Sequence, residues 1–173
     1  MATLIPLSAV DHALIEDLLD ASFGEGRQAR TAYRIRTGMA PLEALCFAAL
    51  DEEEYLAGSI QAWPVALTDP EGRAHPLVMV GPVAVMPGRQ GEGFGQAMLA
   101  ACLGAADGVS GEGGAPLPQM LIGDESYYGR WGFSAQHTGG WRCPGPFEQE
   151  RLLVRCTNPA ILPEQGMLGP WGG

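Results

Sequence analysis

Residues 83–99 read Val83-Ala84-Val85-Met86-Pro87-Gly88-Arg89-Gln90-Gly91-Glu92-Gly93-Phe94-Gly95-Gln96-Ala97-Met98-Leu99. A short apolar run meets a proline, glycines recur at 88, 91, 93 and 95, and Met98, Leu99, Cys102 and Leu103 then share one helical face. The reading is strand, tight loop, helix. The first N–H groups of such a helix have no acceptor within it, and with the helix dipole behind them they favour an anion. Glycines let the backbone approach a phosphate closely, and successive N–H groups in the loop form a nest. Taken alone, the G-x-G-x-G spacing also suits a plain surface turn, and both readings stand at this level.

Leu77 to Met86 is the strand that enters the loop, with irregularity expected at Gly81-Pro82 because proline removes a ladder hydrogen bond. Ala44 to Leu50 and Tyr55 to Leu67 read as strands, with a candidate bulge at Gly58; Asp51 to Glu54 and Asp69-Pro70-Glu71-Gly72 are turns. Thr3 to Leu7 is a first strand. Ser8 with Asp11 resembles a capping box for a helix whose face is Val10, Leu14, Leu18 and Ala21, with Ile15 beside it. A second helix is expected over Arg27 to Thr37, stopped by Gly38. It would set Arg27, Arg30 and Arg34 on one side, as a solvated face or as a stripe that binds an acidic acceptor.

Downstream, the pattern gives a helix from Phe94 to Ala106, a flexible loop from Gly108 to Pro118 and a strand from Gln119 to Ile122. A short helix from Ser126 to Trp131, ended by Gly132, and two strands at Ala135 to Trp141 and Arg151 to Thr157 follow. Residues 1–157 read as one domain and 158–173 as a Pro/Gly-rich tail without regular structure. The order β-α-α-β-β-β-α-β-α-β-β is of the α/β class with a mixed sheet. Its first strands are antiparallel, and a parallel pair spans the helix after the glycine loop.

The 173 residues carry a formal net charge of −10, which argues against nucleic-acid binding through basic patches. All ten basic residues are arginines, so a P-loop lysine and a Schiff-base lysine are both excluded. Cys46, Cys102, Cys143 and Cys156 form no CxxC, and Cys46 and Cys102 lie in apolar runs that suit buried thiols. His12, His75 and His137 have no metal-ligand spacing, so no metal is expected. No apolar run approaches the ~20 residues of a membrane span. Met1 to Val10 carries no basic residue of the kind that opens a signal sequence, and a cytoplasmic protein is the expectation.

Gln90-Gly91-Glu92-Gly93-Phe94-Gly95 resembles the Q/R-x-x-G-x-G/A motif of the GNAT (Gcn5-related N-acetyltransferase) superfamily, and Gly81-Pro82-Val83-Ala84-Val85-Met86-Pro87 resembles that family's fourth strand. The order of elements is similar too, most of all from about Val80 to Phe133. Among its branches the chain looks most like small bacterial proteins without an assigned substrate. A dinucleotide-binding unit fits less well, because such a unit opens its fold and carries an acid ~20 residues after the glycines.

The resemblance implies an N-acetyltransferase that takes acetyl-CoA as cosubstrate. Backbone amides from Gly91 to Gln96 would hold the pyrophosphate, and the main chain of Val83 and Val85 would pair with the pantetheine arm. An N–H near Val85 would stabilise the developing oxyanion. In the family a tyrosine four residues before a Gly-Phe pair lies beside the CoA sulfur. Tyr128 has that spacing from Gly132-Phe133 and would protonate the leaving thiolate. Tyr127 reads as a core aromatic. The family's asparagine seven residues before the tyrosine is Leu121 here, so its contact is lost or passes to Ser126. Arg130 would meet a CoA phosphate or remain solvated. Asp124 is the candidate base for the attacking amine, or else the cap of the short helix. The acceptor would be a small-molecule or peptide amine, reached without nucleic acid or membrane; homodimers are common in the family. The alternative is a GNAT-like module that binds CoA or acyl-CoA and transfers nothing.

Overall fold

The computed structural model describes residues 2–109 and 116–172; the loop expected at Gly108 to Pro118 falls largely outside them. Among the described residues the strands are β1 (Thr3–Pro6), β2 (Phe47–Leu50), β3 (Leu56–Thr68), β4 (Ala74–Val85), β5 (Gln119–Ile122), β6 (Gly140–Arg142), β7 (Leu152–Arg155) and β8 (Gln165–Pro170). The α-helices are α1 (His12–Phe23), α2 (Thr31–Ile35), α3 (Phe94–Ala106) and α4 (Glu125–Tyr128). The strands form a mixed sheet in the order β1-β2-β3-β4-β5-β7, with β8 paired to β3 and β6. β1, β2 and β3 pair antiparallel. β4 and β5 pair in parallel at Val78↔Gln119 and Met79↔Met120, as expected across α3.

The chain divides into two compact units. The first takes in residues up to Gln28, Pro41–Ala62 and Val80–Gly108; the second takes in Ala29–Ala40, Trp63–Met79 and the chain from Val109 on. In the first unit Ile15, Leu18 and Leu19 of α1 are buried in a cluster with Leu7, Cys46, Ala48 and Ala84. Leu14, expected on this face, is exposed. Asp11, not Ser8, is the cap, its carboxylate accepting from the Ala13 N–H at 3.0 Å, while Leu7–Ala9 form a 3₁₀ turn. The helix begins at His12 and buries Ile15, Leu18 and Leu19.

Gly58 lies on β3 beside a register shift against β2, where the bulge was expected. A Cβ there would stand 2.6 Å from Met98 Cε and 2.9 Å from the Ala84 carbonyl oxygen, so only glycine admits α3 this close. Cys46 and Cys102 are both buried, and burial pushes the Cys102 thiol up to about 12.

The second helix is shorter than its pattern. Arg27–Ala29 form a 3₁₀ turn and α2 spans only Thr31–Ile35. Arg27 is buried against Glu16 and Asp20 of α1, Arg30 is the N-cap of α2 and only Arg34 lies within it, so no continuous helix carries the three arginines. Arg34 instead donates to the Pro144 carbonyl at 3.3 Å.

The C-terminal segment is the larger correction. Gln165–Pro170 is strand β8, antiparallel to Val65–Thr68 of β3 and parallel to β6. Leu168 is buried, and the Trp141 indole N–H donates to the Pro163 carbonyl at 2.9 Å. A Cβ on Gly166 would lie 2.7 Å from Leu67 Cγ, and one on Gly140 would overlap the Glu164 carbonyl. Gly166, expected in an irregular tail, and Gly140 are places where the chain packs closely.

Candidate active site

In the first unit, β4 ends at Val85, whose carbonyl accepts from the Ser22 hydroxyl at 3.2 Å, and the Met86 N–H donates to the Ala57 carbonyl at 2.8 Å. The strand's exit is thereby fixed. The loop that follows turns through Gly88, Gly91 and Gly93, all with φ between +85° and +89°. Gly93 is the N-cap of α3, and a glycine brings no capping side chain. The helical ladder starts with the Ala97 N–H on the Gly93 carbonyl at 3.0 Å, which leaves the N–H groups of Phe94, Gly95 and Gln96 without an acceptor inside the helix. Gly91, Glu92 and Gly93 are exposed, while Phe94 is buried and anchors the first turn. This is the anion-favouring geometry of a helix start, and acids are absent from the helix's own first turn.

Gln90, the first position of the motif, turns its side chain inward on the loop: Oε1 accepts from the Gly88 N–H at 3.0 Å. Two residues that the sequence reading passed over brace the same loop. Arg89 donates to both oxygens of Glu92, at 2.7 and 3.1 Å, and to Asp51 of the turn after β2 at 2.9 Å. The i,i+3 spacing of Arg89 and Glu92 is a signal that was present in the sequence; the partnership with Asp51 was not.

In the second unit, β5 leads into α4 through Gly123 and Asp124. The Gly123 N–H donates to the Arg151 carbonyl at 2.9 Å, and β5 is held antiparallel to β7 from Gln119↔Arg155 to Ile122↔Leu152. Tyr128 is half-buried. Its ring meets Tyr127 edge-on at 4.9 Å and Phe133 at 6.2 Å. A Cβ on Gly123 would stand 2.6 Å from Tyr128 Cε2, so the glycine is what seats the ring. Burial pushes the Tyr128 phenol up to about 12; Tyr127 and Asp124 add to the effect and Arg151 opposes it. The helical turn ends at Gly132, with φ +96°, against the Arg155 side chain. Arg155 ties this turn to β5, donating to the Trp131 carbonyl at 3.1 Å and to Gln119 Oε1 at 2.7 Å.

Asp124 is the N-cap residue of α4, but its side chain makes no capping hydrogen bond. Its exposed carboxylate lies 3.5 Å from Arg151 Nε. Glu125 is committed elsewhere, accepting from the Ala135 N–H at 2.9 Å. Ser126 and Arg130 are exposed on the same short turn, with the Arg130 guanidinium 5.2 Å from the Tyr127 ring centre. Tyr127, Tyr128, Asp124, Ser126 and Arg130 are thus gathered in one segment of the second unit, and Val83, Val85 and residues 90–96 in one segment of the first. Among the described residues no group of three His, Cys, Asp or Glu side chains is placed to hold a metal ion, and no helix is long and apolar enough to cross a membrane.

No family model matches the sequence, and no curated protein matches it. Solved structures do. The chain is similar to a GNAT family N-acetyltransferase (YhbS) of Escherichia coli, solved in complex with CoA, at 21% identity and a TM-score of 0.70 over 99% of this chain and 89% of that one. It is similar to a GNAT family acetyltransferase of Brucella melitensis in complex with acetyl-CoA, at 24% identity and a TM-score of 0.60 over 99% and 97%. A Corynebacterium glutamicum structure described as histone acetyltransferase HPA2 and related acetyltransferase shares 17% identity and a TM-score of 0.54 over 92% and 99%. At these identities the likeness is one of fold: the chain has the GNAT N-acetyltransferase fold.

Proposed function

We propose that this protein is an acyltransferase that moves an acetyl group from acetyl-CoA to a primary amine by direct attack while both substrates are bound. The observation that carries the reading is the start of α3, where three uncapped N–H groups follow a glycine at φ +89°. In this reading the amides from Gly91 to Gln96 hold the pyrophosphate, with Gln90 shaping the loop. The main chain of Val83 and Val85 pairs with the pantetheine arm as a neighbouring strand would, and an N–H there polarises the thioester carbonyl. Ser126 and Arg130 supply further polar contacts to CoA. Asp124 takes the proton from the amine as the C–N bond forms, which requires its ion pair with Arg151 to loosen. Tyr128 gives its proton to the sulfur as the C–S bond breaks. The acceptor is a small-molecule or peptide amine, and the site of action is the cytoplasm. The solved relatives with CoA or acetyl-CoA bound support the choice of cosubstrate.

One observation favours a second reading, a module that binds CoA and transfers nothing. A phenol raised to about 12 is a reluctant donor to a thiolate whose conjugate acid lies near ~8.5. The first test is a thermal shift with acetyl-CoA, CoA and NAD in parallel. Ligand at ~100 times its Kd adds ~2.7 kcal/mol, a rise of roughly 5–10 °C for a chain of this length. A rise with both CoA forms and none with NAD is the expected result; NAD alone overturns the reading. Acetyl-CoA consumption across a panel of amines then separates the enzyme from the module.

A further inference from the structure

The loop assigned to the pyrophosphate carries a charge of the wrong sign. Glu92 lies between Gly91 and Gly93, in the turn whose free N–H groups suit an anion. A bare carboxylate at that place would repel a diphosphate. It is not bare. Arg89 meets both Glu92 oxygens in a planar fork, and its remaining nitrogen reaches Asp51. Asp51 is itself a fixed post, because its other oxygen accepts from the N–H groups of Glu53 and Tyr55 at 2.8 and 3.0 Å. The Arg89 guanidinium also lies 5.3 Å from the ring centre of Phe94, the first residue of α3. The electrostatics agree with the geometry: the Glu92 carboxyl is held below its usual range, first by the Arg89 hydrogen bond, and Arg89 is pushed up by Glu92 and then by Asp51. Exposed ion pairs contribute little in general, but a bidentate arginine within a network of three charges is the exception.

We propose that Arg89 is a positioning residue of the phosphate-binding loop: it neutralises Glu92 by holding its carboxylate, and it ties the loop to the β2–β3 turn through Asp51. The inference rests on the CoA reading above. Its consequence is that the loss of Arg89 does harm through the carboxylates it leaves uncovered, and removing the Glu92 charge as well cancels that harm.

The experiment is calorimetric titration of the full chain with CoA, at low salt and at high salt, for the unaltered protein, Arg89→Gln, Glu92→Gln and the double variant. Arg89→Gln is expected to weaken CoA about fivefold at low salt, with the loss shrinking as salt screens the uncovered charges. Glu92→Gln is expected to tighten CoA about twofold, since a carboxylate charge is removed and the two Arg89 nitrogens that it held can face the phosphates while Asp51 keeps the third. The double variant returns to within about twofold of the unaltered protein, a coupling that a merely structural role does not produce. Losses that add, or a loss at Arg89→Gln that salt leaves unchanged, overturn the proposal. If Arg89→Gln does not fold, Glu92→Gln decides alone, and failure to tighten is the overturning result. Normal CoA binding with additive losses sinks only this inference. An unaltered protein that ignores CoA sinks the functional reading and this inference with it.

Discussion

The loop between β4 and α3 and the turn between β5 and α4 both lead a strand into a helix past a glycine, yet they use the glycine for opposite reasons. Gly93 has φ +89° and nothing within 4 Å of where a Cβ would stand, so its role is conformational. Gly123 has no such backbone demand and would put a Cβ 2.6 Å from the Tyr128 ring, so its role is space. In the proposed reading the first region works through main-chain N–H groups, which any sequence with the right backbone can present. In the same reading the second would work through one side chain, whose place depends on what packs around it. Binding is expected to depend on the first and turnover on the second.

The largest expected effect tests that division directly. Tyr128→Phe should lower kcat roughly a hundredfold or more while CoA affinity stays within about twofold; a matching loss of affinity would show that the tyrosine binds rather than reacts. Gly58→Ala comes next. Its Cβ meets the Ala84 carbonyl and Met98, and overpacking of this kind costs about 1–3 kcal/mol, read as a lowered Tm in chemical or thermal melts.

Gly93→Ala should weaken CoA about tenfold and cost ~1–2 kcal/mol of stability, because the left-handed backbone is strained for any side chain. Gly93→Asn should be milder, since asparagine tolerates that region. At Gly123 the order inverts: Ala should reduce kcat severalfold by displacing the ring, with CoA affinity kept, and Asn should do worse because the limit there is volume.

The smallest effect is in pH. The folded Tyr128 phenol lies at about 12, above its ordinary value near ~10, so the neutral form is favoured by folding. The stability it contributes is complete below pH ~10 and is lost as pH rises toward ~12, and melts of Tyr128→Phe over that range should fall less steeply than those of the unaltered chain. An alkaline limb of kcat near pH 9 would belong to another group.

The elements read most accurately from the sequence were those whose evidence is local. α3 occupies Phe94–Ala106 and β5 Gln119–Ile122, as their patterns required. A glycine loop, an apolar face of period 3.6 and a short strand of three buried residues and a partly buried fourth are each complete within a few neighbours. The helix expected over Arg27 to Thr37 failed for the converse reason. Nothing near Arg27 announces that Glu16 and Asp20 of α1 take its guanidinium, and that pairing leaves a 3₁₀ turn where a helix was expected. Tyr128 could be picked out from the family resemblance by its distance from Gly132-Phe133, but Arg155 and Gln119, which tie its turn to β5, could not, because Arg155 is remote in sequence from both Trp131 and Gln119.

The sequence by itself determined the class of fold, the glycine loop before α3 and the exclusion of lysine chemistry, since each is written in residue types at short spacing, while the candidate tyrosine came from the family resemblance. Tertiary structure decided the rest. It made a Pro/Gly-rich tail into β8, because Gly140 leaves room for the tail's Glu164 carbonyl and the tail's Gly166 lies against Leu67, and it set Arg89 between Glu92 and Asp51. The physical reason is the same in both cases: close approach and charge pairing are properties of two surfaces, and a sequence shows only one of them at a time.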